Sequence, residues 1–208
     1  MTTRAVFLMM AVLTLGLTSY TTAAETSKPR IEVPDMPGDL VVPEGNEPFL
    51  VGQATGTQNY ICMPAATATG VAWKFLGPQA TLFLPVHGGQ SQQQITTHFL
   101  SANPEEGGTA RATWQHSFDS SKVWAFADRI YTEADYVAPG AIPWLRLAKV
   151  GTETGPDGGS ILAQTTFIQR LNTSGGVAPA TGCTQASNIG VMVLVPYTTD
   201  YYFYRTER

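Results

Sequence analysis

Along most of the chain, short runs rich in Val, Ile, Thr, Trp, Tyr and Phe are separated by clusters of glycine and proline. The clusters fall at 52–56, 77–78, 88–89, 104–108, 139–143, 155–159, 175–182 and 190–196. Short apolar runs with turn residues at such regular spacing predict an all-β domain, a β-sandwich or a barrel. Strands are expected in FLVGQATGTQNYICM, GVAWKFLG, TLFLPV, QITTHFL, ARATWQH, WLRLAKV, ILAQTTFIQRLNT, GVMVLVPY and DYYFYRT. Alternation assigns the faces. In the last run Tyr201 and Phe203 point one way, Tyr202 and Tyr204 the other. One window also fits a different period. In SKVWAFADRIYTEADYV, Val123, Phe126, Ala127 and Ile130 recur at helical spacing, so one short helix is expected near 121–134.

Upstream of these runs the pattern changes twice. Residues 25–48 carry Pro29, Pro34, Pro37, Pro43 and Pro48, with Gly38 and Gly45 among them. Proline removes a backbone donor and fixes φ, so this is an extended lead-in and not a helix. Its IEVP and DLVVP pieces have apolar residues to pack on the domain that follows, residues 49–208. Residues 1–24 combine a positive Arg4, the apolar run AVFLMMAVLTLGL and the small residues Thr22-Ala23-Ala24. That order predicts a secretory signal peptide cleaved after Ala24. The apolar run, Ala5 to Leu17, is shorter than the roughly 20 residues a spanning helix needs.

Removing residues 1–24 from the 208 leaves 184, enough for one domain with a substantial core. The full chain has a formal charge of −4, and losing Arg4 makes it −5. There is no Lys/Arg cluster, which argues against nucleic acid as a partner. No later stretch is long and apolar enough for a transmembrane segment. The expected location is outside the cytoplasm, secreted or periplasmic. There the two cysteines, Cys62 and Cys183, are expected to pair, with two free thiols as the alternative.

Candidate chemistry concentrates in THFLSANPEEGGTARATWQHS, Thr97 to Ser117. Asn-Pro starts turns and Gly107-Gly108 tolerate positive φ, so a β-hairpin is expected. Pairing symmetric about Glu105–Glu106 sets His98 opposite Thr113 and His116 opposite Ile95. The two imidazoles then lie about 10 Å apart at about 3.3 Å per residue, too far to share one zinc ion. A three-histidine metal site of His87, His98 and His116 is the alternative, since three such ligands suit a catalytic metal. Glu105 and Glu106 are adjacent on a loop tip, where both are expected to be solvated and not split into acid and base. His116, Ser117 and Asp119 lie close in sequence, but no G-x-S-x-G elbow accompanies them. No nucleotide-binding glycine pattern occurs, and no cofactor is predicted apart from a divalent metal if the histidines converge. Asn172-Thr173-Ser174 is formally a glycosylation sequon.

Five segments carry a resemblance. GTQNYIC (Gly56 to Cys62), ITTHFLSANPEEGGTARATWQHS (Ile95 to Ser117), GAIPWLRL (Gly140 to Leu147), NTSGGVAPATGC (Asn172 to Cys183) and VPYTTDYYFYRT (Val195 to Thr206) occur in this order. Together, from about Asp39 to Arg205, the chain resembles a family of secreted bacterial and fungal proteins known only as a domain of unknown function. The resemblance implies export, a single compact domain and a Cys62–Cys183 bridge. It brings no catalytic residues.

Taken together, the residues point to a secreted, non-catalytic binding or surface-associated module. A polysaccharide or cell-surface ligand would lie on exposed rings among Trp73, Trp114, Trp124, Trp144 and the tyrosines of 201–204. The alternative is an extracellular metal-dependent or hydrolytic enzyme using His87, His98 and His116 with Glu105, Glu106 or Asp119.

Overall fold

The computed structural model describes residues 30–85 and 92–208; the expected signal peptide and His87 lie outside them. Eight antiparallel strands close into a barrel: β1 (Asn46–Pro64), β2 (Val71–Phe83), β3 (Gln94–Asn103), β4 (Thr109–His116), β5 (Lys122–Tyr131), β6 (Trp144–Glu153), β7 (Phe167–Gly175) and β8 (Met192–Thr206). Each strand pairs with its neighbours in sequence, and β8 returns to β1 from Asn46–Thr206 to Ile61–Met192. Closure removes the two free sheet edges that an open sheet of this composition would expose.

The all-β reading is right, and a barrel is the form it takes. Three local expectations are corrected. Residues 122–131 form a strand, not a helix. Val123 and Ala125 face the barrel core, while Trp124 is buried on the other side with its Nε1–H bonded to Ser101 Oγ at 2.9 Å. A strand apolar on both faces also satisfies helical spacing, and here the sheet ladder decides. The break expected at Gly77–Pro78 is instead a bulge within β2, opposite Asn59/Tyr60. Gly77 adopts φ +146°, a conformation an L side chain rarely takes, and a Cβ there would press on Leu100. β8 is likewise one strand, with Pro196 just beyond the last β7–β8 pair, Gly175–Tyr197.

The core lies inside the lower half of the barrel, the end where β4 meets β5 and β6 meets β7. Leu82, Trp114, Val123, Ile168 and Phe203 fill it. Leu162, from the β6–β7 connection, joins this cluster and is fully buried. Its N–H bonds to Ser121 Oγ at 2.9 Å, and the Ile161 N–H bonds to Asp119 Oδ2 at 2.8 Å. This connection closes the lower end.

On the outside, residues 31–42 pack as the sequence suggests. Leu40 is fully buried against Trp144, Leu171, Tyr202 and Tyr204. Gln169 anchors the segment: its Nε2 donates to the Leu40 carbonyl at 2.7 Å, and its Oε1 accepts from the Tyr204 hydroxyl at 2.6 Å. Tyr201 and Phe203 face the lumen while Tyr202 and Tyr204 face this outer layer, as the alternation predicted.

Candidate functional site

The upper half of the lumen is built from small inward residues. Ala112, Ala125 and Ala127 stand where larger side chains would fill the barrel. The result is a cavity of about 240 Å³, walled also by Leu100, Leu145 and Leu147. Beyond it, Ile142 lies with Gln58 and Tyr197 around Gly176; its N–H bonds to the Gly175 carbonyl at 2.9 Å and its carbonyl accepts from Thr173 Oγ1 at 2.6 Å.

The opening is lateral. The β4–β5 ladder ends at Ala112–Ala125, and above that rung the two strands are no longer paired. The β3–β4 hairpin instead folds outward over β6. Asn103 Nδ2 donates to the Val150 carbonyl at 3.1 Å, and Glu105 Oε1 accepts from the Thr152 N–H at 2.8 Å. Arg111 and Phe126 flank the gap, the guanidinium 5.7 Å from the ring centre.

Polar groups gather at the inner end. Arg170, on β7, is the cross-strand partner of Tyr201 on β8 and of Leu145 on β6. Among the described residues it has no acidic partner. Its hydrogen bonds run from Nε and Nη2 to the Pro143 carbonyl at 3.1 and 2.8 Å. Arg111, Arg146 and Arg205, by contrast, each pair with a carboxylate. Gln58 Nε2, Trp114 Nε1 and the Tyr197 and Tyr201 hydroxyls are buried without a well-formed hydrogen bond. The two hydroxyls approach one another, Tyr197 approaches Gln58 and Tyr201 approaches Arg170, all without bonding alignment. Burial pushes both phenol pKa values up, so both remain O–H donors at any ordinary pH.

His98 completes this end. It is 3% exposed, stacks on Trp114 at 4.1 Å and meets Tyr201 edge-on at 5.2 Å. Its Nδ1 lies 2.9 Å from the Thr113 carbonyl. A carbonyl only accepts, so Nδ1 carries the proton, and Nε2 of the neutral ring is an acceptor. Burial drives its pKa down to about 3, against the Thr113 bond and with help from the charge of Arg170. The imidazole is therefore neutral at physiological pH.

The other expected site residues are placed differently. In the hairpin the pairs are His98–Trp114 and Thr96–His116, one residue out of the symmetric register. The turn Pro104–Glu106 followed by left-handed Gly107 makes a five-residue loop centred on Glu106. Consequently His98 and His116 share a face as diagonal neighbours, closer than the separation of about 10 Å that the symmetric register implies. His116 Nδ1 lies 3.1 Å from Asp119 Oδ1 but out of line for a hydrogen bond. Asp119 is occupied with Ser121 and Ile161, bracing the Leu162 plug. Burial raises its pKa, and those bonds together with His116 more than offset this, so the carboxyl sits below its usual range.

Glu105 and Glu106 are not simply solvated. Glu106 takes two bonds from Arg111, at 2.6 and 2.8 Å, and one from Asn103 at 2.7 Å. The Arg111 and Asn103 bonds hold its carboxyl below the usual range. Both acids fasten the outward-folded hairpin. Among the described residues, no three His, Cys, Asp or Glu side chains are grouped to hold a metal ion.

The aromatic rings that a sugar platform would need on the surface are mostly inside. Trp114, Trp124, Trp144 and Tyr201 to Tyr204 are all buried. Trp73 is partly buried against the Cys62–Cys183 disulfide, and its Nε1–H reaches the Thr181 carbonyl at 3.2 Å. Of the groups at the inner end, His98, Trp114 and Tyr201 were sequence candidates in other roles, while Gln58, Tyr197 and Arg170 were missed, yet a signal exists. Arg170 follows Ile168 on the inward face of an apolar strand, and alanines recur on the inward faces of β4 and β5.

Fold and site together define an eight-stranded up-and-down β-barrel with a side-opening cavity that is apolar along its walls and donor-rich at one end. The chain belongs to the family described as "Protein of unknown function (DUF3455)", which matches residues 43–205. No curated protein and no solved structure matches the chain.

Proposed function

We propose that this is a secreted, non-catalytic protein that holds one small, largely apolar ligand in the barrel lumen. The observation that carries the reading is the cavity of about 240 Å³, with an entrance between β4 and β5. An apolar cavity of about 150 Å³ already admits benzene, so this one has room for a small aromatic ring with a short chain. Apolar walls with a few convergent polar groups are the usual make-up of a ligand pocket, and closed barrels of eight strands hold small ligands in their mouths. The buried rings on β4, β5 and β8 favour a ligand inside the barrel over a sugar lying on a flat aromatic surface. The Cys62–Cys183 disulfide supports the exported location.

Calorimetric titration with the neutral probe 4-phenylbutan-1-ol tests the reading. Saturable one-to-one binding is expected, and Ala127→Phe, which fills the lumen beside the entrance, should abolish it. Absence of binding, or unchanged binding by the filled variant, overturns the lumenal site.

A further inference from the structure

We infer that the ligand is a small monocarboxylic acid, bound as its carboxylate against Arg170 and Tyr201 with its apolar part along the alanine and leucine walls. The inference rests on the lumenal reading and goes on to name the ligand class.

The inner end offers more donors than acceptors. Arg170 supplies N–H donors and a fixed positive charge; guanidinium has no acceptor. Trp114 Nε1 and Gln58 Nε2 are donors only. The Tyr201 hydroxyl stays protonated with an O–H to give, and Tyr197, beside it but not on the cavity wall, is protonated too. All four of these side chains are at least nine-tenths buried and lack a well-formed bond. Against them stand fewer acceptors: His98 Nε2, Gln58 Oε1 and the two hydroxyl oxygens themselves. Among the described residues, no aspartate or glutamate lines the cavity. A site so rich in donors and poor in acceptors is complemented by an acceptor-rich group, and the unpaired charge makes that group an anion.

Size and walls narrow the class further. The remainder of the cavity is lined by Leu100, Ala112, Ala125, Ala127, Leu145 and Leu147. A free phosphate or sulfate would leave this surface uncovered. A long-chain fatty acid exceeds the volume. An aryl or short alkyl carboxylate satisfies both the donors and the walls. The side entrance passes Arg111, but its guanidinium is already paired with Glu106, so the charge available to a ligand is that of Arg170. Arg170 and Tyr201 face each other directly across β7 and β8. Both therefore reach one carboxylate, and no movement of the strands is required.

The test compares two probes of nearly equal shape, 4-phenylbutyrate and 4-phenylbutan-1-ol, by calorimetry at neutral pH. The carboxylate is expected to bind tighter by on the order of tenfold, the usual worth of hydrogen bonds to a charged group. Arg170→Gln should erase that preference, and Arg170→Lys should retain part of it. Equal affinity of the wild-type protein for the two probes overturns the carboxylate assignment and leaves the lumenal site standing. So does a preference that survives in Arg170→Gln. Failure of both probes to bind overturns both readings. The wild-type comparison decides even where a variant fails to fold.

Discussion

His98 gives a direct test of how the lumen treats charge. In the unfolded chain its imidazole titrates near 6.5, and in the barrel near 3, because the ring is buried against Trp114 with the positive Arg170 nearby. Above pH 6.5 the ring is neutral in both states and adds no pH dependence. Between 6.5 and about 3 the unfolded chain holds one more proton than the folded one, so stability falls as acid is added. The slope is about 1.4 kcal/mol per pH unit, and the whole window amounts to about 5 kcal/mol. Below about 3 the folded form also takes the proton and the slope ends. His98→Asn removes the titration and keeps an N–H donor for the Thr113 carbonyl. The assay is urea unfolding of both proteins at several pH values from 7 down to 4.5. At pH 7 the variant should be weaker by about 1–3 kcal/mol, through loss of the stacked ring. That deficit should shrink by about 1.4 kcal/mol for each unit of acid below 6.5 and then reverse. Glu106 and Asp119, both held below their usual range, lose their own contribution in acid, but equally in the two proteins. Parallel acid slopes would refute the argument, because they would mean that the folded barrel accepts the proton on His98 without penalty.

Two further outcomes follow from the frame around the cavity. Cys62→Ser with Cys183→Ser should cost about 2–4 kcal/mol in urea unfolding, the usual worth of a bridge closing a long loop. In the folded protein it should also expose residues 176–191 to protease; an unchanged urea midpoint would contradict this. Leu162→Ala should cost about 2–5 kcal/mol, because its side chain is fully buried in the lower core. A loss well under 1 kcal/mol would show that the β6–β7 connection does not close the barrel.

What the sequence made legible depended on whether an element's two faces differ or its neighbours are known. The faces of Tyr201 to Tyr204 were readable because strict alternation holds whichever layer covers each side. Residues 122–131 misled because Val123 and Ala125 are covered by the lumen and Trp124 by the hairpin, leaving no polar face to show a period of two. Gly77–Pro78 read as a turn because a bulge and a turn recruit the same residues. The histidine register slipped by one because the centre of a loop is set by its backbone, Gly107 at φ +63°, and not by its composition. The cavity was least visible of all. Gln58, His98, Trp114, Arg170 and Tyr201 come from five strands, and only barrel closure brings β1 beside β8 and sets them around one space.

That assembly implies a conflict between stability and binding, and Tyr201→Phe exposes it. A buried hydroxyl without a partner costs about 1–3 kcal/mol, so removing the oxygen while keeping the ring should leave the free protein as stable as before or more so, by up to about 1 kcal/mol. The ring's edge-on contacts with Trp114 and His98 are retained in phenylalanine. If the hydroxyl exists to meet a carboxylate, the order must invert when ligand is added. A ligand stabilises the folded state in proportion to its affinity, so saturating 4-phenylbutyrate should raise the unfolding midpoint of the wild-type protein more than that of the variant. The measurement is a pair of thermal unfolding curves for each protein, without and with the probe. A variant less stable than wild type in the absence of ligand would mean that Tyr201 already has its hydrogen bond within the barrel. The lumen would then be a polar core held for its own sake, and the donors would no longer argue for an anion.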